Sequence, residues 1–380
     1  MKLGQTIFIL LVAMLMVTNK STATLTPTPP AGDATEKVFL PIILKGKPPA
    51  VHAMRLDYPD WATSRTLVDT MEAHMQRAGI NMVGLGAGRV EWTYFKWDGH
   101  ESDWSSAVKD TGIDFLAEDA TRFRKWAHVD AVVDVLAPNY IKAHPETAAI
   151  SFYGQPSENT VSTTELVEGN FGKQLLAMVE AIAANYPVDS ISLTELFYHS
   201  DGYGADDKAS YLAYSGRTDW PRLSDGTIDI NDKSIGDWRT HVLDIFLDKI
   251  VAICHQHGKQ FFMDVALSLD DLTKMTNEHG TNYKVVLEHT DRLVVWGYYD
   301  LDNYPPQNFV SIAQFLTQFG KDRIILSVGL WAQNNQTASP ESFRVAILSI
   351  QQGGIPNIWV TPSLLMSAEH WQVLNDLWGK

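Results

Sequence analysis

The sequence predicts an α/β fold, a closed (β/α)8 TIM barrel with long loops at the carboxyl ends of its strands. Three observations carry this. Apolar runs of strand length alternate with apolar stripes of helical period, the mark of βαβ units and a parallel sheet. Eight such units follow one another along the 380 residues, the count of a closed barrel. Nothing marks the reversal of strand order that an open, doubly wound sheet requires.

The amino end stands apart from that pattern. Lys2, an apolar run from Ile7 to Val17 and the small residues Ser21, Thr22 and Ala23 have the layout of a secretory signal peptide covering residues 1–23. The run is about half the length of a membrane-spanning helix. Residues 24–50 read as a Thr/Pro-rich linker containing a short apolar segment, Val38 to Leu44, which suits either an added strand or a surface-sorting element. Residues 51–380 are expected to be the barrel, a size that barrels reach as a single domain.

The elements of the barrel follow in order. Strands are expected at residues 53–58, 81–85, 129–136, 188–193, 260–267, 292–298, 323–328 and 357–360. Leu67, Met71, Met75 and Ala78 trace the face of the first helix, and residues 115–126 form the next. Leu175, Val179, Ile182 and Tyr186 mark another, and Trp238, Val242, Ile245 and Ile253 the one after it. Later stripes run through Phe309, Ile312, Phe315 and Phe319, then Phe343, Ile347 and Ile350, then Trp371, Leu374 and Trp378. The connections after strands two (86–110), three (137–169) and four (196–235) far exceed the usual few residues. All three leave carboxyl ends of strands, the face where barrels bind and react. A binding cleft explains three long loops on one face.

Composition narrows the partners. A net charge of −15 argues against nucleic acid, which needs clustered Lys and Arg, and suits a neutral or cationic polymer or plain solubility. Cys254 is the only cysteine, so no internal disulfide exists and the core must supply the stability. Twelve tryptophans and thirteen tyrosines offer flat faces for sugar rings, although most aromatics serve a core.

Five carboxylates fall at or near strand ends: Asp57, Asp134, Glu195, Asp264 and Asp300. Glycoside hydrolysis needs one carboxyl held protonated as acid and a second, ionised, as nucleophile or base. Glu195 closes the alternating run that begins at Ile191, where a carboxylate appears at the barrel mouth. Asp264 interrupts the apolar stretch from Phe261 to Val265, where an unpartnered carboxylate would be costly. Glu195 is therefore expected as general acid/base and Asp264 as its partner, with Asp300 next in line or else a helix cap. Asp57 shares a strand face with Arg55, and the two either contact substrate or pair structurally. Asp134, placed one layer deeper, reads as a structural hydrogen-bond acceptor.

Residues 188–198, VDSISLTELFY, resemble the fourth-strand motif of the family-10-like hypothetical glycosyl hydrolases, roughly VDGIHLDDYFYP. Asp237-Trp238-Arg239 is similar to that family's D-W-R-R element, and Gly79-Ile80-Asn81 to its "GIN" entry to strand two. The likeness covers residues 53–328 and implies a TIM-barrel glycosidase. It also puts the family's paired aspartates on Thr194 and Glu195, one carboxylate kept and one lost. Residues 291–300, DRLVVWGYYD, are similar to the sixth-strand pattern of chitinase-type barrels, D-x-I-x-V-M-x-Y-D. That likeness implies sugar contacts at Tyr299 and Asp300. The chitinase fourth-strand DxxDxDxE is absent, since Ser192, Thr194 and Leu196 follow Asp189 where its carboxylates belong.

Substrate-binding positions are expected at Arg55, Asp57, Trp92, Tyr198, Trp296, Tyr298, Tyr299, Trp331 and Trp359, with Tyr94, Trp97, Trp104, Phe197 and Tyr203 as further aromatics in the strand-end loops. Other signals are weak. Gly84-Leu-Gly-Ala-Gly88 lacks dinucleotide-fingerprint spacing, and His255 and His257 lack a third metal ligand. The acidic run from Asp201 to Asp207 lacks EF-hand spacing and reads as a solvated loop. No cofactor or metal is expected, and no Ser-His-Asp or G-x-S-x-G arrangement occurs. The function expected is a secreted, extracellular glycoside hydrolase acting on a polysaccharide or oligosaccharide, with no nucleic-acid partner and no membrane insertion after signal cleavage. The alternative is a non-catalytic, glycan-binding barrel at the cell surface.

Overall fold

Among the residues described, eight strands curl into one closed parallel sheet: β1 His52–Leu56, β2 Met82–Arg89, β3 His128–Asp134, β4 Ser190–Thr194, β5 Gln260–Val265, β6 Arg292–Gly297, β7 Ile324–Gly329 and β8 Ile358–Thr361. Each pairs in parallel with the next, and β8 returns to β1 through Ala53 opposite Trp359. The protein is a (β/α)8 TIM barrel. The structure, a computed structural model, describes residues 49–56, 64–196, 198, 200–269, 271–272 and 280–379. The expected signal peptide, most of the linker with its apolar segment, Asp57 and Phe197 lie outside the described residues.

Helices are set by their caps and apolar stripes. Ser64 caps Arg65–Arg77 by accepting from Leu67 N, and Val68, Met71 and Met75 turn inward. Asp114 caps Phe115–Phe123 through Ala117 N, while its other oxygen takes the Tyr186 hydroxyl at 2.7 Å. Asp232 opens the 24-residue helix Lys233–Gln256, and Pro340 at the first turn follows the Ser339 cap of Pro340–Gln352. Side-chain caps satisfy backbone donors that the first turn leaves open. The helix between β5 and β6, Tyr283–His289, has no counterpart in the periodicity reading. Seven residues burying Tyr283, Val286 and Leu287 are too few to trace a stripe. No helix among the described residues is long and apolar enough to cross a membrane.

Two apolar layers result. The large one fills the space between strands and helices. The small one, Val51, Ala53, Met82, Val132, Phe262, Val294, Ile325 and Trp359, lies inside the barrel. Gly84 has a steric reason: a Cβ there would lie 2.5 Å from Trp359 Cζ2. The glycine-rich end of β2 thus admits an indole into the barrel.

The three long loops carry structure of their own. After β2, Trp92–Thr93 folds back antiparallel on Gly88 and Arg89. After β3 come a short helix, Pro138–Ala143, and a hairpin of Ala148–Ile150 with Pro156–Val161. After β4 comes the helix Ala205–Ser215. The acidic run there is not a solvated loop. Asp207 is fully buried, accepting from Thr163 N at 2.9 Å and Thr163 Oγ1 at 2.6 Å, and burial pushes its carboxyl up to about 6. Asp201, also buried, accepts from Thr160 Oγ1 at 3.1 Å. These aspartates stitch the third loop to the fourth.

Candidate active site

Period-2 alternation decides which side chains enter the barrel. In β4, Ile191 and Leu193 join the outer core, so Ser190, Ser192 and Thr194 face inward. The same parity turns Arg55, Asp130, Asp134, Asp264 and Trp296 inward. Asp134 pairs in register with Thr194, and Leu193 with Met263. Positions 134, 194 and 264 therefore stand at one level on β3, β4 and β5. At the usual strand spacing the two aspartates flank Thr194 with Cα atoms roughly 10 Å apart.

Alternation alone would send Glu195 outward, behind Leu193. Its backbone instead takes a left-handed conformation, φ 64°, which reverses the chain direction and returns the side chain to the mouth. That conformation is uncommon outside glycine and costs about 1–3 kcal/mol. Glu195 is 8% exposed, and Oε2 has no hydrogen-bond partner among the described residues. Burial pushes its carboxyl well above the usual range. The negative charges of Asp134 and Asp264 push the same way, while Arg55 and Arg89 oppose them.

The neighbours differ in how they are held. Asp134 accepts from Arg89 Nε at 2.8 Å and Nη2 at 2.7 Å, and from Leu136 N at 2.9 Å. It stands at the mouth beside Glu195, not one layer below; the deeper aspartate of β3 is Asp130. Arg89 in turn lies over the Trp92 ring, 5.3 Å from its centroid. Asp264 Oδ2 accepts from Trp296 Nε1 at 3.4 Å. Burial raises the Asp264 carboxyl to about 6, against the pull of Arg55. Arg55, expected to touch substrate, sits where its charge acts on Asp130, Glu195 and Asp264 together.

The structure gathers only some of the expected aromatics. Trp296 stacks on Tyr298 at 5.2 Å and 17°, and Tyr298 meets the edge of Trp331 at 5.1 Å. These three form a wall beside Asp264, and half-buried Trp92 stands on the Asp134 side. Trp359 fills the barrel interior. Tyr198 is fully buried and its hydroxyl donates to Val161 O at 3.0 Å, tying two loops together. Tyr299 points into the outer core against Phe309 at 5.6 Å. Among the described residues no hydrogen bond joins Asp300 to Glu195 or Asp264, and its charge acts on Tyr299. Tyr94, Trp97 and Tyr203 are buried, and Trp104 donates from its ring nitrogen to Trp97 O at 3.1 Å.

Arg89 is the site residue that sequence reasoning missed, and Asp134 the one it placed a layer too deep. Arg89 reaches the mouth because β2 runs four residues past the expected strand end at Leu85. Arg239, carried by the D-W-R likeness, is buried and donates to Tyr198 O at 2.6 Å and Asp201 O at 2.7 Å. It braces the loop that begins at Glu195. The histidines of the weak metal reading pair with separate carboxylates, His255 with Asp291 and His257 with Glu180.

No family model and no curated protein matches this chain. Solved structures do. The PgaB (BpsB) glycoside hydrolase domain from Bordetella bronchiseptica superposes with a TM-score of 0.65 at 13% identity, over 87% of this chain and 99% of that one. The β-galactosidase of Marinomonas ef1 gives 0.61 at 12% identity, over 86% of this chain and 59% of its own length. The catalytic domain of β-amylase from Paenibacillus polymyxa gives 0.58 at 12% identity, over 86% and 97%. The (β/α)8 barrel fold is what this chain shares with these glycoside hydrolases. At these identities the likeness speaks for the fold alone.

Proposed function

We propose that the protein is a glycoside hydrolase that cleaves a polysaccharide with Glu195 as general acid/base and Asp264 as the partner carboxylate. The observation that carries this is Glu195 itself: buried, left-handed, with one oxygen unpartnered among the described residues at the mouth of the barrel. An environment that keeps one carboxyl protonated beside another that ionises more readily separates acid from base. Burial and the neighbouring carboxylates push Glu195 towards its protonated form, while burial raises Asp264 to about 6. Asp134, engaged by Arg89 on one oxygen and by Leu136 N on the other, stands beside Glu195, and its charge pushes the Glu195 carboxyl upward. The Trp296, Tyr298 and Trp331 wall suits a sugar ring. The family-10-like motifs at 188–198 and 237–239 support the same reading. Asp300 and Tyr299, the chitinase-type contacts, have no part in it.

The second reading is a glycan-binding barrel without turnover. It is favoured by Thr194, which stands between Asp134 and Asp264 where the resemblance has a second carboxylate. Incubating the purified protein with a panel of polysaccharides separates the two. New reducing ends support the hydrolase, and retention on the polymer without new ends supports the binder. Secretion is part of the proposal, on the strength of residues 1–23. Protein recovered from the medium should begin just after Ala23 by amino-terminal sequencing.

A further inference from the structure

We infer that the hairpin after β3 carries a distal sugar-stacking subsite at Tyr153, so that the cleft engages a long glycan chain rather than a short one. This rests on the glycan-acting reading above. Tyr153 is 76% exposed, the most exposed of the large apolar side chains described. A single exposed apolar residue is ordinary, but this one is mounted. It lies in the turn between Ala148–Ile150 and Pro156–Val161. Ser151 N donates to Gln155 O, Gly154 N to Ser151 O, both at 2.8 Å, and Gln155 N to Ser151 Oγ at 3.1 Å. Gly154 supplies the left-handed φ of 80° that closes the turn.

Behind the exposed ring is a chain of aromatics. Tyr153 lies on Phe152, centroids 3.9 Å apart. Phe152 meets the edge of Tyr203 at 6.0 Å. Tyr203 is buried against Trp220 and under the Arg239 guanidinium. The tyrosine therefore presents one flat face to solvent at little cost in lost freedom, as a preorganised platform does. No contact within the described fold needs that outward face.

The platform is also registered to the reacting end. Phe152 N donates to Ser200 O at 3.0 Å, and Tyr203 N to Ile150 O at 2.8 Å. Ser200 is five residues beyond Glu195, at most about 18 Å of chain. Tyr153 is thus tied to the same loop as Glu195, on the carboxyl-end face, within reach of one extended glycan lying across it. Aromatic faces pack on sugar rings with little regard to linkage, so the subsite reads chain length rather than bond type.

The test measures rates for the wild-type, Tyr153→Ala and Tyr153→Phe proteins on a hydrolysed polysaccharide and on its trisaccharide. The same proteins are run through native gels containing hydroxyethyl cellulose, galactan or glycol chitin. Tyr153→Ala should lower kcat/KM on polymer at least about 5-fold relative to trisaccharide, mainly through KM, with Tyr153→Phe restoring it. An unchanged polymer-to-trisaccharide ratio in Tyr153→Ala would overturn the subsite while leaving the hydrolase standing. If the wild type is inert but retarded in a gel, equal retardation of Tyr153→Ala overturns the subsite and lost retardation supports it. A wild type neither active nor retarded on any polymer sinks both ideas.

Discussion

Two buried carboxylate regions lie within one barrel, and they are built in opposite ways. Deep in the bore, Asp130 is fully buried on a regular strand. It accepts from Ser190 Oγ at 2.5 Å and Ser192 Oγ at 2.6 Å. At the mouth, Glu195 is almost as buried, but its backbone is left-handed and Oε2 has no partner among the described residues. Arg55 acts on both. Burial and a shared cation are therefore common to both acids, and what separates them is whether their hydrogen bonds are made. A buried polar atom with its hydrogen bonds made belongs to the fold, and one left open beside strained backbone is a place for a ligand.

The largest effect that could break this contrast is at Glu195. Glu195→Gln should keep the fold and glycan retention while lowering turnover at least about 100-fold, the low end of general acid–base catalysis. Near wild-type turnover on a substrate with a poor leaving group would remove Glu195 as the acid. Asp264→Asn should bring a loss of similar size if it is the partner carboxylate. The check is kcat on the same substrate, with far-ultraviolet circular dichroism to show that the protein is folded.

Asp134→Asn sharpens the contrast from the side of charge. The acid works only while protonated, so activity falls as pH rises through the Glu195 pKa. Removing the Asp134 charge removes a cause that raises this pKa. The alkaline limb of the kcat/KM profile should then move to lower pH, and an unmoved limb would detach Asp134 from the site. Breaking the half-buried Arg89 pair should also cost about 3 kcal/mol, read by urea unfolding.

Asp130 tests the structural side. Burial raises its carboxyl from 3.8 to about 6, so between those values the folded state binds more proton than the unfolded one. Stability from this group is therefore full below about pH 3.8 and is lost as pH rises through about 6. Asp130→Asn has nothing to ionise, and its Tm should fall less than that of the wild type between pH 4 and pH 7. Equal slopes would show that Asp130 is not the proton-linked group. The smallest effect belongs to Cys254, whose thiol burial pushes up to about 12. Cys254→Ser should leave turnover unchanged and cost on the order of 1 kcal/mol; lost turnover at constant Tm would call for a reactive thiol.

Much of this molecule is local and so legible in the chain. All eight strands fall within a few residues of their expected places because strand and helix periods are properties of neighbouring residues. Cys254 sits on the buried stripe that its spacing from Ile250 implies. Glu195 and Asp264 stand out as carboxylates interrupting apolar strands. What the chain could not show is which of these meet. Tyr198, Tyr299 and Trp359 are aromatic residues at strand ends, like Trp296 and Tyr298. Yet the first two pack outward and the third fills the bore, because position on the pleat decides the direction. Asp201 and Asp207 look solvated until Thr160 and Thr163, more than forty positions away, supply their donors. Periodicity by itself determined the barrel and the face that carries the long loops. Closure of the sheet set Asp134, Thr194 and Asp264 at one level, and a single left-handed residue turned Glu195 in among them. Register across strands and a reversal of backbone direction are tertiary facts, and no local pattern encodes them.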